Sequence, residues 1–422
     1  MPRTLAGPPG HPGETLMARL DALAAFTDEA GALTRLYLSP AHEAAALQVR
    51  QWMEEAGMDA RIDAVGNVAG RYEAATPGAP ALLLGSHIDT VRDAGRYDGN
   101  LGVLAAIAAV AVLHAAGERL PFAVEVLAFG DEEGVRFPTT LTGSRAVAGT
   151  LDPVALDARD AEGTRLGEAL RAFGCDPAAV GSVARRPEAV LGYVELHIEQ
   201  GPVLEAAGLP LGVVTAINGA SRFQIEVQGE AGHAGTVPMA LRRDALAGAA
   251  EMVLAVERRA AAEAELVATV GRLDVVPGAI NVIPGGVRLT LDLRAPADGA
   301  RAAAVADLER AFRAIAERRR LGLTLTPSHE AAACPCDPAL IAQLEAAVAR
   351  AGLRPLRLPS GAGHDAMALA ALCPVGMLFV RCKGGVSHHP AESITAEDAA
   401  LALAVLVDFL RHFRPPAEGA RP

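Results

Sequence analysis

Histidine and carboxylate side chains follow an apolar run in the segment LLLGSHIDTVRDAGRYDGN, residues 82–100. His87 and Asp89 come directly after the apolar residues, and Asp98 lies in the polar loop that leads into an Ala-rich segment. Three later apolar runs also end in polar groups. These groups are Asp131, Glu132 and Glu133; His197, Glu199 and Gln200; and Ser387, His388 and His389. Imidazoles and carboxylates without cysteine are ligands that suit zinc, manganese or cobalt.

The spacing of these groups allows more than one ion. Two histidines and one acid can hold one ion, and two such sets that share a carboxylate can hold a pair about 3.5–4 Å apart. We expect the Asp89 carboxylate to accept the imidazole N–H of His87 and so to fix the tautomer of the ring. Adjacent residues at a strand end point to different sides, so one of Glu132 and Glu133 can bind metal while the other moves a proton. A single cluster of this kind is ordinarily a solvated turn, but its recurrence at successive strand ends favours a metal centre.

The elements that must position these groups alternate between strand and helix. Continuous apolar runs such as APALLLGSHIDT and PFAVEVLAFG are typical of strands buried on both faces, and segments with helical periodicity separate them. This alternation predicts an α/β fold whose mostly parallel sheet is flanked by helices. Ligands bind at the carboxyl ends of the strands in such sheets, so we expect the polar groups to share one edge.

Residues 213–331 have a different pattern. Segments such as SRFQIEVQGEAGHAG and GGVRLTLDLRAP alternate apolar and polar residues, which is typical of half-exposed antiparallel strands. The segments ELVATVGRLDVVPG and LGLTLTPSHE supply two more candidate strands, and two amphipathic helical segments lie among the four. We therefore predict an inserted α+β domain over 213–331, with a four-stranded antiparallel sheet and two helices, and a catalytic domain over 1–212 and 332–422.

The composition excludes several classes of protein. The chain has 422 residues, 51% of them hydrophobic, and a formal net charge of −12, which argues against nucleic acid or an anionic membrane as a partner. Five cysteines without a repeating spacing do not form a disulfide framework, and they fit a reducing, cytoplasmic location. The N-terminal segment has Pro and Gly where an export signal needs an apolar run. The longest apolar stretch is shorter than a typical membrane span of about 20 residues.

Seven motifs, in order, resemble one enzyme family. They are GSHIDTV with GRYDGNLGVLA, GDEEGVRFPTTLTGSRAVAG, HIEQGPVLE, GEAGHAGTVPM, INVIPG with LDLRAP, SGAGHDAMALA and GVSHHPAE. Together they resemble the dinuclear-metal amidohydrolases related to aminoacylases and di-metal exopeptidases. The branch is that of allantoate amidohydrolases, N-carbamoyl-L-amino-acid hydrolases and β-ureidopropionases, and the resemblance extends from about Leu33 to Phe413.

The resemblance implies a role for each matching residue. One divalent ion is held by His87, Asp98 and His197; Asp98 bridges to a second, which Glu133 and His388 complete; and Glu132 is the general base. The residues implied to contact substrate are Gln200, Arg222, His233, Asn281, Arg294, Gly363 and His364. Arg294 is implied to clamp a substrate carboxylate, and His233 to stabilise the oxyanion. The resemblance also implies two ions per subunit, zinc with manganese or cobalt as alternatives. It implies that the insert is a lid and dimerisation domain. The homodimer formed through it makes His233 and Asn281 candidates for reaching the other subunit's site.

These observations predict hydrolysis of a C–N bond in a small linear ureido compound that carries a carboxylate. Allantoate is the preferred substrate, and an N-carbamoyl-L-amino acid is the alternative within the same class. Two further classes stay open at this point, a metal-free binding protein on the same fold and a di-metal peptidase. An intact ligand set with Glu132 counts against the first, and the context of Gln200 and Arg294 counts against the second.

Overall fold

The computed structural model describes residues 12–415. The expectation of no export signal falls largely on residues 1–11, which lie outside the described residues. The helices are α1 Pro12–Ala24, α2 Pro40–Glu55, α3 Asn100–Ala115, α4 Thr142–Ala148, α5 Leu166–Ala172, α6 Val203–Ala207, α7 Ala245–Ala261, α8 Asp298–Arg319, α9 Pro338–Arg350, α10 Ala366–Leu369 and α11 Ala396–His412. The strands are β1 Asp59–Ile62, β2 Val68–Tyr72, β3 Ala81–His87, β4 Ala123–Phe129, β5 Val190–Ile198, β6 Leu211–Ile217, β7 Gly219–Gln228, β8 Gly232–His233, β9 Val267–Thr269, β10 Leu273–Val276, β11 Val282–Ile283, β12 Gly286–Ala295, β13 Gly322–Ala331, β14 Cys334–Pro335, β15 Arg357–Ser360 and β16 Val375–Val380.

The chain divides into two compact units. Of the described residues, the first unit contains 12–215, 336–358 and 363–415, and the second contains 216–335 and 359–362. The role of residues 213–331 as a lid and dimerisation domain stays a prediction. Among the helices formed by residues 12–415, none combines the length and the hydropathy required to span a lipid bilayer.

The larger sheet has the strand order β1-β2-β4-β3-β5-β16-β6-β14, with β15 beside β6. Its centre is parallel, because β3 pairs in parallel with β4 and β5, and β16 with β5. Every residue of β3, β4 and β16 is buried, as expected for strands covered on both faces. Helix α3 lies against β3 and β5 and is buried around most of its circumference, which explains its Ala-rich, almost wholly apolar sequence. The predicted α/β fold with a mostly parallel core is confirmed.

The second unit contains an antiparallel sheet with the order β10-β12-β7-β13 and β9 also paired with β12. Strand β12 alternates buried residues with more exposed ones, and α7 and α8 cover one face of the sheet through a core that includes Met252, Phe312 and Leu293. The sheet has five strands rather than the predicted four. The segment read as one strand, ELVATVGRLDVVPG, forms two strands. Residues 267–269 pair with the distal part of β12 and residues 273–276 with its start, and the register shifts by one residue between them, where Arg272 and Thr290 stay hydrogen-bonded at 3.1 Å.

Candidate metal centre

The predicted metal ligands of the first unit meet at the carboxyl edge of the parallel strands. His87 is the last residue of β3, and His197 is the penultimate residue of β5. Glu132 and Glu133 follow β4, and His388 follows β16. Because β3, β4, β5 and β16 are parallel neighbours, their ends deliver these side chains to one place.

Asp98 lies at the centre of this group and presents one oxygen to each side. Its Oδ1 is 3.4 Å from His87 Nε2 and 3.1 Å from His197 Nε2. Its Oδ2 is 3.3 Å from His388 Nε2, which in turn lies 3.5 Å from Glu133 Oε1. Two sets therefore share Asp98, and the candidate ligand atoms within each set lie within 4.8 Å of one another. This is the arrangement that a carboxylate bridging two cations requires.

The hydrogen bonds of His87 and His197 leave one ring nitrogen of each histidine available to bind a cation. His87 Nδ1 lies 2.9 Å from the Asp89 carbonyl oxygen, and His197 Nδ1 lies 2.9 Å from the Ile198 carbonyl oxygen. A carbonyl oxygen only accepts, so each Nδ1 carries a proton and donates it, and in the deprotonated form of each ring an Nε2 lone pair faces Asp98. The Gly99 N–H, which donates to His197 Nε2 at 3.2 Å, agrees with that assignment. Lone pairs that converge on a carboxylate need a positive charge between them, and a divalent ion supplies it.

Protons compete with a divalent ion for the candidate ligand atoms. The hydrogen bond between His388 and Asp98 raises the pKa of His388 to about 9. Burial is the main reason that the pKa of Glu133 is raised to about 7. Burial also raises the pKa of Glu132 well above its ordinary value. Binding of a divalent ion must therefore displace protons from this cluster, as is usual where ligands have to be deprotonated.

The Asp89 carboxylate binds two backbone N–H groups and not the His87 imidazole that the sequence predicted. Its carboxylate Oδ1 is 3.8 Å from His87 Nδ1, too far for a hydrogen bond, so the backbone carbonyl of Asp89 orients the ring instead. The carboxylate accepts the backbone N–H groups of Glu132 and Glu133, each at 3.2 Å. Asp89 therefore ties the loop after β3 to the turn that carries both glutamates.

Three other predicted residues lie at this edge. The Gln200 side-chain amide donates to Asp98 Oδ2 at 2.8 Å and to Ser387 Oγ at 3.0 Å, so it contacts a candidate ligand directly. Gly363 borders Glu132, because a Cβ at this glycine would lie 3.9 Å from Glu132 Oε1. His364 is buried with its ring centroid 4.5 Å from that of His197, and burial holds its pKa well below the ordinary value, so the ring is neutral.

Glu199 of the third polar group points away from the ligands. Its carboxylate accepts the backbone N–H groups of Val203 and Leu204 at 2.7 and 2.9 Å, and so caps the start of α6. Strand alternation alone would place Glu199 on the same face as His197, two residues before it, but β5 ends at Ile198 and Glu199 already belongs to the turn that leads into α6.

In the second unit, Arg222 and Arg294 line one cavity of about 610 Å³ with Asp292 between them. The Asp292 carboxylate accepts Nε and Nη2 of Arg294 at 2.9 Å each, and Nε of Arg222 at 2.9 Å. Arg294 Nη1 donates to the Gly361 carbonyl oxygen at 2.7 Å. Asp292 was not among the predicted residues, although its position two residues before Arg294, on the same face of β12, is a signal that strand periodicity provides.

His233 and Asn281 lie together elsewhere in this unit. His233 pairs with Val282 across the short β8–β11 ladder, and the Asn281 carbonyl oxygen accepts the Ala234 N–H at 2.9 Å. Both residues are exposed. His233 Nδ1 accepts the Gly235 N–H at 3.0 Å, which leaves Nε2–H as a free donor on a neutral ring.

Comparisons with known proteins agree with this geometry. Residues 83–412 match the model of peptidase family M20/M25/M40. The chain is 45% identical to a probable allantoate deiminase of Oryza sativa subsp. japonica, over 94% of this chain and 87% of that protein. It is 44% identical to an N-carbamoyl-L-amino acid amidohydrolase of Geobacillus stearothermophilus, over 93% of this chain and 97% of that protein. A crystal structure of a hydantoinase/carbamoylase family amidase from Burkholderia multivorans superposes with a TM-score of 0.90 at 34% identity, covering 96% of this chain and 98% of that one.

The resemblance drawn from the seven motifs is thus confirmed at the level of the family. The described residues include the grouped ligands that a metal-dependent hydrolase needs. The chain belongs to peptidase family M20/M25/M40, and its relatives within that family are amidohydrolases of linear C–N bonds.

Proposed function

We propose that this enzyme hydrolyses the ureido C–N bond of allantoate, with an N-carbamoyl-L-amino acid as the alternative substrate. The observation that carries the proposal is the shared carboxylate of Asp98, with His87 and His197 at one oxygen and His388 and Glu133 at the other. The names of the relatives supply the substrate class.

We assign the two ligand sets to two divalent ions, zinc with manganese or cobalt as alternatives. His87, Asp98 and His197 would hold one ion, and Asp98, Glu133 and His388 the other. Bound ions at such sites lower the pKa of a water and polarise a carbonyl oxygen.

Glu132 is the residue that we propose as the general base. It lies in one ligand group with His87 and Glu133, and Gly363, which has no side chain, borders its carboxylate. Glu132 would accept the proton of the attacking water and then pass it to the departing nitrogen. The Asp89 carboxylate, which accepts the backbone N–H of Glu132, holds the turn in place for both transfers.

The substrate contacts are assigned by the chemistry of each side chain. Arg294 is proposed to bind the substrate carboxylate through the edge of its guanidinium that Asp292 leaves free, and Arg222 to add a second cation at the same cavity. His233 would donate Nε2–H to the developing oxyanion, with Asn281 beside it. Gln200 and His364 are proposed to border the reacting group.

Allantoate and N-carbamoyl-L-amino acids share a ureido group and a carboxylate, so the same residues can serve both. Hydrolysis of allantoate consumes one water and yields ureidoglycine, carbon dioxide and ammonia. Sequence identity is nearly the same for both substrates, because four allantoate deiminases are 42–45% identical to this chain and one N-carbamoyl-L-amino acid amidohydrolase is 44% identical. We further propose a cytoplasmic homodimer formed through the insert.

The experiment is a product assay on the purified protein loaded with zinc or manganese. Allantoate, a panel of N-carbamoyl-L-amino acids and a panel of dipeptides are supplied separately, and ammonia and the organic product are quantified. We expect the highest kcat/KM on allantoate, with Glu132→Gln as the inactive control. Preference for an N-carbamoyl amino acid would select the alternative substrate. Turnover of dipeptides alone, or binding without turnover, would contradict the proposal.

A further inference from the structure

Glu392 is a buried acid, only 4% exposed, that belongs to none of the proposed ligand or substrate sets. Its Oε1 accepts the backbone N–H of Tyr97 at 2.8 Å and that of Asp98 at 3.1 Å. These donors lie almost 300 residues away in the sequence, within the loop that leads into α3. Buried backbone N–H groups are costly to leave unpaired, so the loop depends on this carboxylate for its conformation.

A second connection runs from Glu392 to the side chain of Asp98. Ser387 Oγ lies 3.2 Å from Glu392 Oε2 and 2.9 Å from Asp98 Oδ2. The Gln200 amide donates to both Ser387 Oγ and Asp98 Oδ2, which completes a small network on that oxygen. Asp98 is therefore held both at its backbone N–H and at one carboxylate oxygen.

We propose that Glu392 is the positioning residue for Asp98. It sets the loop backbone so that Oδ1 faces His87 and His197 while Oδ2 faces His388. This inference rests on the proposed metal centre. Groups that orient a metal ligand are commonly worth 10- to 100-fold in metal affinity, and a shared ligand transmits its loss to both ions.

The position of Gly95 independently shows that the Glu392 side chain packs closely against the loop that carries Asp98. A Cβ at Gly95 would lie 2.3 Å from both the carboxyl carbon and Oε1 of Glu392. Gly95 does not have a positive φ, so its replacement by alanine does not strain the backbone in that way. Because the added methyl group would also lie 2.4 Å from Glu392 Cβ, Gly95→Ala should displace the whole Glu392 side chain without altering its chemistry.

The test compares three variants with the wild-type chain. Glu392→Ala removes both acceptors, Glu392→Gln keeps an oxygen that can accept the two N–H groups, and Gly95→Ala displaces the carboxylate. Glu125→Ala is the matched control, because Glu125 is another buried acid of the first unit, bonded to Arg185 at 3.1 and 2.5 Å and absent from the ligand groups.

Two readouts that do not depend on activity are measured. Zinc dissociation constants are obtained by competition with a chromophoric chelator, and hydrogen exchange of the segment 94–101 is followed in the metal-free protein. We expect about 10- to 100-fold weaker zinc binding in Glu392→Ala, with faster exchange at the amides of Tyr97 and Asp98. Gly95→Ala should show the same changes to a smaller extent, and Glu392→Gln should stay near the wild type.

Wild-type affinity and exchange in both Glu392→Ala and Gly95→Ala would overturn the inference. An equal loss of zinc affinity in Glu125→Ala would also overturn it, because the effect would then be general destabilisation. If Glu392→Ala does not fold, Gly95→Ala decides the question, and wild-type affinity and exchange in Gly95→Ala then overturn the inference. Failure of the wild-type chain to bind zinc would instead contradict the metal centre itself, together with this inference.

Discussion

Replacement of Arg294 by alanine should raise KM for a carboxylate substrate and change kcat little. A guanidinium that holds a carboxylate remote from the reacting bond binds ground state and transition state alike, and its loss then appears in KM. Arg294→Lys should recover only part of the affinity, because an ammonium keeps the charge but lacks the planar fork.

The hydrogen bonds of Arg294 set the size of the effect. A guanidinium has five N–H donors. Three are engaged within the protein, two with Asp292 and one with the Gly361 carbonyl oxygen, so two remain for a ligand. Hydrogen bonds to charged groups contribute about 1.5–3 kcal/mol each. The side chain is 30% exposed, so the lower value applies and two bonds are worth about 3 kcal/mol, or about 10²-fold in kcat/KM.

The assay measures steady-state kinetics on an N-carbamoyl amino acid and on its carboxamide counterpart. The wild-type enzyme should prefer the carboxylate by about 10²-fold, and Arg294→Ala should lose that preference. Arg288→Ala is the matched control, since Arg288 lies on the same strand, pairs with Glu226 and does not line the cavity with Arg294. An equal loss on both substrates, or a loss no larger than that of the control, would refute the assignment.

Three further predictions concern other residues. Glu132→Gln should retain both ions and lose about 10²–10⁴-fold in kcat, whereas Glu133→Gln should lose metal. If elemental analysis shows the reverse, Glu133 is the general base and Glu132 the metal ligand. Burial lowers the pKa of His42 to about 3 in the folded chain, so the unfolded chain binds the extra proton first and stability falls as pH drops below about 6.5. Urea unfolding of metal-free protein should show about 2 kcal/mol of this loss between pH 7 and pH 5, and His42→Asn should lack it; equal pH slopes would contradict the prediction. If His233 serves the other subunit, mixing inactive His233→Ala and Glu132→Gln chains should recover activity, and no recovery despite proven chain exchange would place His233 in the site of its own chain.

The amino-acid sequence was sufficient to predict the parallel strands of the larger sheet and the edge of that sheet where the candidate ligands meet. Apolar runs identify strands that are buried on both faces, and a polar residue just beyond such a run must lie at the strand's end. The parallel alternation then brings His87, His197 and His388 to one edge, although His388 is separated from His87 by about 300 residues. Several of the motifs that predicted the family, among them GSHIDTV, HIEQGPVLE and GVSHHPAE, are strand ends and loops at that edge.

Only the tertiary structure decided which atom meets which. The backbone carbonyl of Asp89, and not its carboxylate, orients His87, because the carboxylate is engaged by the N–H groups of the glutamate turn. Glu392 meets the Asp98 loop through contacts that no local spacing encodes. Residue type and periodicity determine the face and the end of an element, but the partner of a side chain depends on the packing of distant segments. A loop such as the one carrying Asp98 has no repeating geometry from which that packing can be read.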